Sequence, residues 1–233
     1  MQVHIVHAHP EPKSFCSSMK DAALATLEAV GHAVTLADLH AMNFKAAADA
    51  DDFGSRSNPD YLTYALEQRH AHKVGTLAPD IADEVEKVLA ADLLILNAPM
   101  YWFSLPALMK GWIDRVFLSG PFYGGKRIYD RGGLVGKKAL LTMTLGSPPH
   151  MFTEDSIHGD IKAMLRPVLR GLGYVGMEVL EPYFAYHVPY VDNAARAEIM
   201  TDFCAYVGNV ENLGAVTMPT VDDFDDRFFP KKS

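Results

Sequence analysis

The first forty residues run strand, helix, strand, and that unit constrains the fold more than any other feature of the chain. Residues 3–8 are a short β-rich run, broken by His9-Pro10-Glu11-Pro12. From Ser14 onward, apolar residues recur at Phe15, Met19, Ala22, Ala23, Leu27 and Val30, a helical spacing that ends at Gly31. Residues 33–39 return to strand. Two strands joined this way lie parallel in one sheet, with the helix packed across it. Parallel sheets are covered on both faces, so their inner strands read as unbroken apolar runs. Asp92-Leu-Leu-Ile-Leu-Asn97 is such a run, and residues 138–144 are another.

The remaining segments repeat the alternation. Helices are expected over residues 79–90, 105–117 with Pro106 in the first turn, 157–172 and 193–207. A Gly-rich loop covers residues 119–136, and residues 176–186 read as a fifth strand. Five strands alternating with helices predict an α/β fold, a doubly wound five-stranded parallel sheet in the order 2-1-3-4-5 of flavodoxin-like folds. Residues 1–210 would form that domain. Residues 211–233 would be an irregular acidic tail, carrying Asp222, Asp223, Asp225 and Asp226, packed on the domain or on a partner subunit. Residues 43–78 are polar and weakly periodic. A connection of that length is unusual inside one domain and implies a functional or partner-facing role.

Charge and cysteine usage narrow the function classes. Lys and Arg total 21 against 29 Asp and Glu, a net charge of −8 that argues against nucleic acid or an anionic membrane as main partner. Cys16 and Cys204 form neither a disulfide framework nor a metal spacing, and His70, His72 and His150 add no metal pattern. The chain shows neither a signal-peptide pattern nor an apolar stretch near the length of a membrane span. The expectation is a cytoplasmic protein without stable membrane insertion.

The topology places a ligand outside the carboxyl ends of strands one, three and four. The loop after strand one, His9-Pro-Glu-Pro-Lys-Ser-Phe15, opens a helix whose free N–H groups and dipole attract a phosphate, with His9, Lys13 and Ser14 as further donors. The same residues also fit an ordinary helix cap. After strand three, Pro99-Met-Tyr-Trp-Phe-Ser-Leu-Pro106 sets three successive aromatics between prolines. Consecutive side chains cannot all point inward, so these suit a wall for a flat aromatic ring or a dimer contact. After strand four, Thr144-Leu-Gly-Ser147 could hold an anionic ring edge with successive N–H groups. His158 in Ile157-His-Gly-Asp160 is a candidate proton donor, or a capping histidine.

Taken together these strings, with Asp38-Leu-His-Ala-Met-Asn-Phe44, Leu77-Ala-Pro-Asp-Ile81, Lys110-Gly-Trp-Ile-Asp-Arg-Val-Phe117 and Val179-Leu-Glu-Pro182, resemble the NAD(P)H:quinone oxidoreductases of the DT-diaphorase type, in their shorter form. The resemblance covers nearly the whole chain in matching order. It implies a homodimer with tightly bound FAD, reduced by NAD(P)H in a ping-pong, two-electron reaction that turns quinones into hydroquinones. Carried over residue by residue, His9, Ser14, Phe15, Cys16, Ser17 and Ser18 would hold the pyrophosphate and adenosine part, with Arg196 near the adenosine end. Pro99, Met100, Tyr101, Trp102 and Phe103 would border the ring system. Thr144, Leu145, Gly146 and Ser147 would offer backbone donors to its edge, beside Phe152. Tyr123, Gly124 and Gly125, from the other subunit, would line the substrate side with Trp102, Phe103 and Tyr190. His158 would be the catalytic proton donor.

The chain departs from the family at several of these positions. Phe152 stands where the family has a tyrosine that shares charge stabilisation with the histidine, so any relay would rest on His158 and backbone groups. Gly125 replaces a substrate-side tyrosine, Ser147 a glycine, Cys16 an asparagine, and Tyr190 a histidine. The wider pocket leaves an azo- or nitroreductase open. The acidic tail and residues 43–78 leave open a regulatory flavoprotein docked on an ion-efflux system. A one-electron flavodoxin carrier fits less well with the aromatic wall and His158.

Overall fold

The computed structural model describes residues 1–231. In chain order its elements are β1 (Gln2–His7), α1 (Phe15–Ala29), β2 (Ala33–Asp38), α2 (Tyr64–Val74), α3 (Pro79–Ala90), β3 (Leu93–Pro99) and α4 (Ala107–Val116). They continue with β4 (Lys138–Thr144), α5 (Ile161–Met164), α6 (Arg166–Tyr174), β5 (Glu178–Val179), β6 (Tyr183–Ala185) and α7 (Asn193–Gly208). The strands pair in parallel in the order β2-β1-β3-β4-β5, with β6 also on β4, which is the expected doubly wound order.

Strand alternation sorts the core into two layers. Val3, Ile5, Leu93, Ile95 and Leu140 face α1 and α7, meeting Met19, Leu27, Phe203 and Val207. Val6, Leu94, Leu96, Leu141 and Met143 face the other way, onto Val85, Val88, Met109, Trp112 and Leu169 of α3, α4 and α6. Among the described residues no helix is long and apolar enough to cross a membrane.

Three segments differ from the sequence expectation. The fifth strand is two short pieces rather than one. Between them Leu180 bridges Ala215 antiparallel, Glu181 donates its N–H to Gly214 O at 2.8 Å, and Pro182 has no N–H to continue a ladder. The tail therefore lines this edge, and further on it is tied to the Gly-rich loop by Arg131–Asp222 and Lys126–Asp226 ion pairs. The helix expected at 157–172 starts only at Ile161 and is interrupted at Leu165, just before Pro167. Residues 157–158 are a turn, and Asp160 caps α5.

The polar segment 43–78 contains α2. Its buried face consists of Glu67, Gln68 and Ala71, so no apolar stripe betrays it. The Glu67 carboxylate accepts from Ser57 N (2.7 Å), Ser57 Oγ (2.8 Å) and Asn58 N (3.0 Å), and Gln68 Nε2 donates to Asp114 O at 3.2 Å.

A second buried carboxylate ties α3 to the sheet. Glu84 is fully buried and accepts from His4 Nε2 (3.2 Å), Trp112 Nε1 (2.8 Å) and Lys87 Nζ (2.6 Å). Burial pushes its carboxyl up, but these donors outweigh it and hold the group down at about 2. The folded value lies below the unfolded one of 4.5, so the stabilisation is present above that pH and lost as pH falls toward the folded value. Glu84→Gln is expected to cost about 3 kcal/mol at neutral pH. Urea melts should show that gap narrowing below pH 4.5; a gap constant down to pH 3 refutes the assignment.

Candidate active site

The loops after β1, β3 and β4 converge on one cleft of about 550 Å³. His9, Lys13, Ser14, Phe15, Cys16 and Ser18 come from the first loop and the start of α1. Pro99, Met100 and Tyr101 come from the second, and Thr144, Leu145 and Gly146 from the third. Val188, Pro189 and Arg196 close the far end. A smaller pocket of about 240 Å³ shares Met100, Leu145 and Gly146 with the cleft and adds Trp102, Phe103, Ser147 and Phe152.

The first loop is a helix start with donors to spare. Ser14 Oγ caps α1 by accepting from Ser17 N at 3.0 Å, and Ser18 N donates to Ser14 O at 2.9 Å. The N–H groups of Phe15 and Cys16 have no partner among the described residues. Two free donors at the positive end of a fifteen-residue helix attract an anion. Burial lowers the His9 pKa, so its ring is neutral at pH 7 and Nδ1 accepts from Glu11 N at 3.0 Å.

Ser17 does not reach the cleft, contrary to expectation. It is buried, its hydroxyl donates to Glu11 O (2.9 Å), and His7 Nε2 lies 3.1 Å away. His7 in turn meets Asn97 Oδ1 at 2.6 Å, and Asn97 donates to Thr142 at 3.0 Å. Ser17 is thus the link that anchors the loop to the centre of the sheet. Burial pushes the Cys16 thiol up to about 12, against a smaller opposing hydrogen bond from Thr144, so it stays protonated.

The aromatic loop is a two-residue turn. Tyr101 and Ser104 exchange both backbone hydrogen bonds at 3.0 Å, with Trp102 and Phe103 at φ of 49° and 61°. Left-handed geometry costs a side-chain-bearing residue roughly 1–2 kcal/mol. Here it turns three aromatics outward. Trp102 is 94 % exposed, and Tyr101 and Phe103 are close to half exposed. Strain held in a row of exposed aromatics marks a recognition surface.

On the third loop the N–H of Leu145 is already engaged with Ala185 O at 2.8 Å, which removes it from the expected donors. Gly146 and Ser147 keep N–H groups without partners among the described residues. Ser147 Oγ lies 3.5 Å from His158 Nε2. His158 sits in the turn before α5, its ring 5.4 Å from Phe103 and 5.1 Å from Phe152. Ser147, Phe103 and Phe152 line the smaller pocket, and His158 packs behind them without lining it. Phe152 presents no hydroxyl, and the tyrosine behind it, Tyr186, packs at 5.8 Å with a phenol raised by burial and by Asp160.

Tyr123, Gly124 and Gly125 lie outside this chain's cleft; Tyr123 packs on Tyr174 at 5.5 Å. Tyr190 is 74 % exposed and packs tilted against His187 with ring centres 5.1 Å apart, also outside the cleft. The sequence reading missed Val188 and Pro189, which form the far wall. Arg196 holds that wall, donating from Nε to Val188 O (3.0 Å) and from Nη2 to Pro189 O (3.3 Å). Their signal was position: they follow directly on the strand next to β4. Among the described residues no cluster of His, Cys, Asp and Glu is arranged to hold a metal.

The chain belongs to the flavodoxin-like fold family, which matches residues 1–207. It is 44% identical over 187 residues to a human ribosyldihydronicotinamide dehydrogenase [quinone], covering 79% of this chain and 81% of that one. It is 38% identical over 198 residues to rat NAD(P)H dehydrogenase [quinone] 1, covering 84% and 72%. Among solved structures, that of a Klebsiella pneumoniae protein described as a putative quinone reductase superposes with a TM-score of 0.88 at 35% identity, covering 92% and 86%.

Proposed function

We propose that this protein is a flavin-dependent oxidoreductase that carries two electrons from NAD(P)H to quinones, with FAD as its resident cofactor. The observation that carries the reading is the convergence of three switch-point loops, each bringing free backbone donors or exposed aromatics to one elongated cleft. The donor set fits FAD part by part. Phe15 and Cys16 N–H, with Lys13 and Ser18 beside them, suit a pyrophosphate. Met100, Tyr101, Trp102 and Phe103 suit a flat ring, and Gly146 and Ser147 N–H suit its polar edge. The cleft continues past the helix start to Pro189 and Arg196, giving room for an adenosine beyond the phosphates. The quinone reductases among its relatives support the acceptor class.

FAD, when bound, supplies the two-electron chemistry. The protein's own part is to orient, desolvate and stabilise charge. The aromatic turn would border the flat ring, and the partnerless N–H groups of Gly146 and Ser147 would stabilise negative charge on its polar edge. His158, with Nε2 3.5 Å from Ser147 Oγ, would be the proton donor nearest that edge. The exposed Trp102, Tyr61 and Leu66 favour a homodimer, in which the partner's loop 123–125 would finish the substrate side. Gly125 would bring no side chain from the partner's loop to the substrate side, and this favours a bulky azo or nitro acceptor as the second reading.

Flavin released by heat from the purified protein should run as FAD on chromatography. FMN there would overturn the cofactor assignment. With NADH or NADPH as donor, kcat/KM should be higher for a quinone than for an azo dye or a nitroaromatic; quinones ranking last would select the second reading.

A further inference from the structure

We infer that His187, which none of the loop motifs includes, is a positioning residue: it fixes the Gly146–Ser147 peptide so that the Ser147 N–H faces the cofactor pocket. The inference rests on the flavin reading above and deepens it. His187 follows β6 and holds a φ of +59°, a conformation that residues with a Cβ rarely keep without compensation. Its Nδ1 lies 2.8 Å from Gly146 O. A carbonyl oxygen only accepts, so Nδ1 carries the proton and the ring is held in that tautomer. Tyr190 packs against the imidazole with ring centres 5.1 Å apart and planes tilted by 42°.

The consequence follows from peptide planarity. The carbonyl of Gly146 and the N–H of Ser147 belong to one trans peptide and point in opposite directions. Drawing the carbonyl toward His187 turns the N–H away from it. The partnerless Ser147 N–H then points away from His187, and Ser147 lines the pocket it shares with Met100 and Phe152. Without that hold the peptide would be free to rotate, because a Cβ at Gly146 would meet nothing within 4 Å and glycine tolerates either orientation. The rest of the frame is rigid: Leu145 N donates to Ala185 O at 2.8 Å, and Val188 N donates to Leu145 O at 3.2 Å. The backbone ladder thus fixes Leu145 on both sides, while the next peptide depends on one imidazole.

The test compares His187→Gly, which relieves the positive φ but removes the donor, with His187→Asn, which tolerates that φ and keeps an amide donor. Crystal structures of the flavin-free proteins come first. The Gly146 carbonyl should swing away in His187→Gly and stay in place in His187→Asn; an unmoved carbonyl in His187→Gly overturns the positioning role, whether or not flavin binds. The redox titration follows. A donor at the ring edge favours the negatively charged reduced form, so His187→Gly should weaken binding of reduced FAD roughly tenfold more than oxidised FAD. For a two-electron couple that is a midpoint potential lower by about 30 mV. His187→Asn should restore it, and the melting temperature of the flavin-free protein should not move. An unchanged potential in His187→Gly with FAD bound also overturns the proposal. A wild-type protein that binds no flavin would sink the functional reading, and the crystal structures would still decide the role of His187.

Discussion

Arg115→Ala is expected to destabilise the fold by about 3–5 kcal/mol, the range for breaking a buried ion pair on one side. Arg115 is 1 % exposed, and its guanidinium hydrogens are fully engaged. Nε and Nη2 donate to Asp52 Oδ1 (3.1 and 2.9 Å), Nη1 to Lys45 O (2.9 Å) and Asp80 Oδ2 (2.6 Å), and Nη2 also to Asp80 Oδ1 (3.2 Å). The group also lies 4.8 Å from the centre of the Phe44 ring. One side chain on α4 thereby fastens the stretch after β2, the short turn at Ala50–Asp52 and the start of α3. Removing it strands Asp52, which is 0 % exposed and would keep only Lys45 and Tyr64 as side-chain donors. Burial pushes the Asp52 carboxyl up and the Arg115 and Tyr64 hydrogen bonds more than reverse this, so without Arg115 its pKa must rise. The loss should appear as a fall in melting temperature of about 10 °C. Proteolysis should then begin within residues 43–78. Arg115→Lys should recover little, because an ammonium cannot reproduce the planar fork toward two carboxylates. A melting temperature within 2 °C of the wild type would show that the segment is held by something else.

That cluster also shows what the sequence hides. The parallel sheet was legible because its strands are apolar on both faces, and β3 from Leu93 to Leu96 is buried throughout. Residues 43–78 were not legible, because Asp52, Glu67 and Gln68 are buried there between scattered apolar positions (Phe44, Phe53 and Ala71), their polar groups matched by Arg115, by Ser57 and by Asp114 O. Hydrophobic periodicity is silent about a face that is buried and polar. The same division runs through the candidate site. The aromatic turn and the helix start stand out by composition. Leu145 and Ser17 did not: whether their polar groups are free depends on Ala185 and His7, whose proximity only the fold creates. His187 went unnoticed for the related reason that its function lies in a carbonyl forty-one residues earlier in the chain.

His158→Ala is expected to slow reduction of the bound flavin by NAD(P)H about 100-fold while leaving FAD in place, the scale of losing one charge-stabilising donor from a preorganised site. The histidine does not line the cleft and adjoins its inner end only through Ser147, Phe103 and Phe152. Its ring is gripped between Phe103 and Phe152, and its backbone N–H donates to Met151 O at 3.2 Å. The anion-binding helix start and Arg196 do not contact it, so cofactor affinity and rate should separate. Phe152 has no hydroxyl, and Ser147 Oγ lies 3.5 Å from the imidazole Nε2, at the long limit of a hydrogen bond. Ser147→Ala should therefore slow the step only a few-fold, and should add little in the background of His158→Ala, since the two groups would act in one path. Stopped-flow absorbance of the flavin, at full FAD occupancy, reads both variants directly. A rate unchanged in His158→Ala removes the imidazole from the mechanism and leaves charge stabilisation to the N–H groups of Gly146 and Ser147. A large loss in Ser147→Ala alone would instead place the proton path through the serine hydroxyl, with His158 holding it in position.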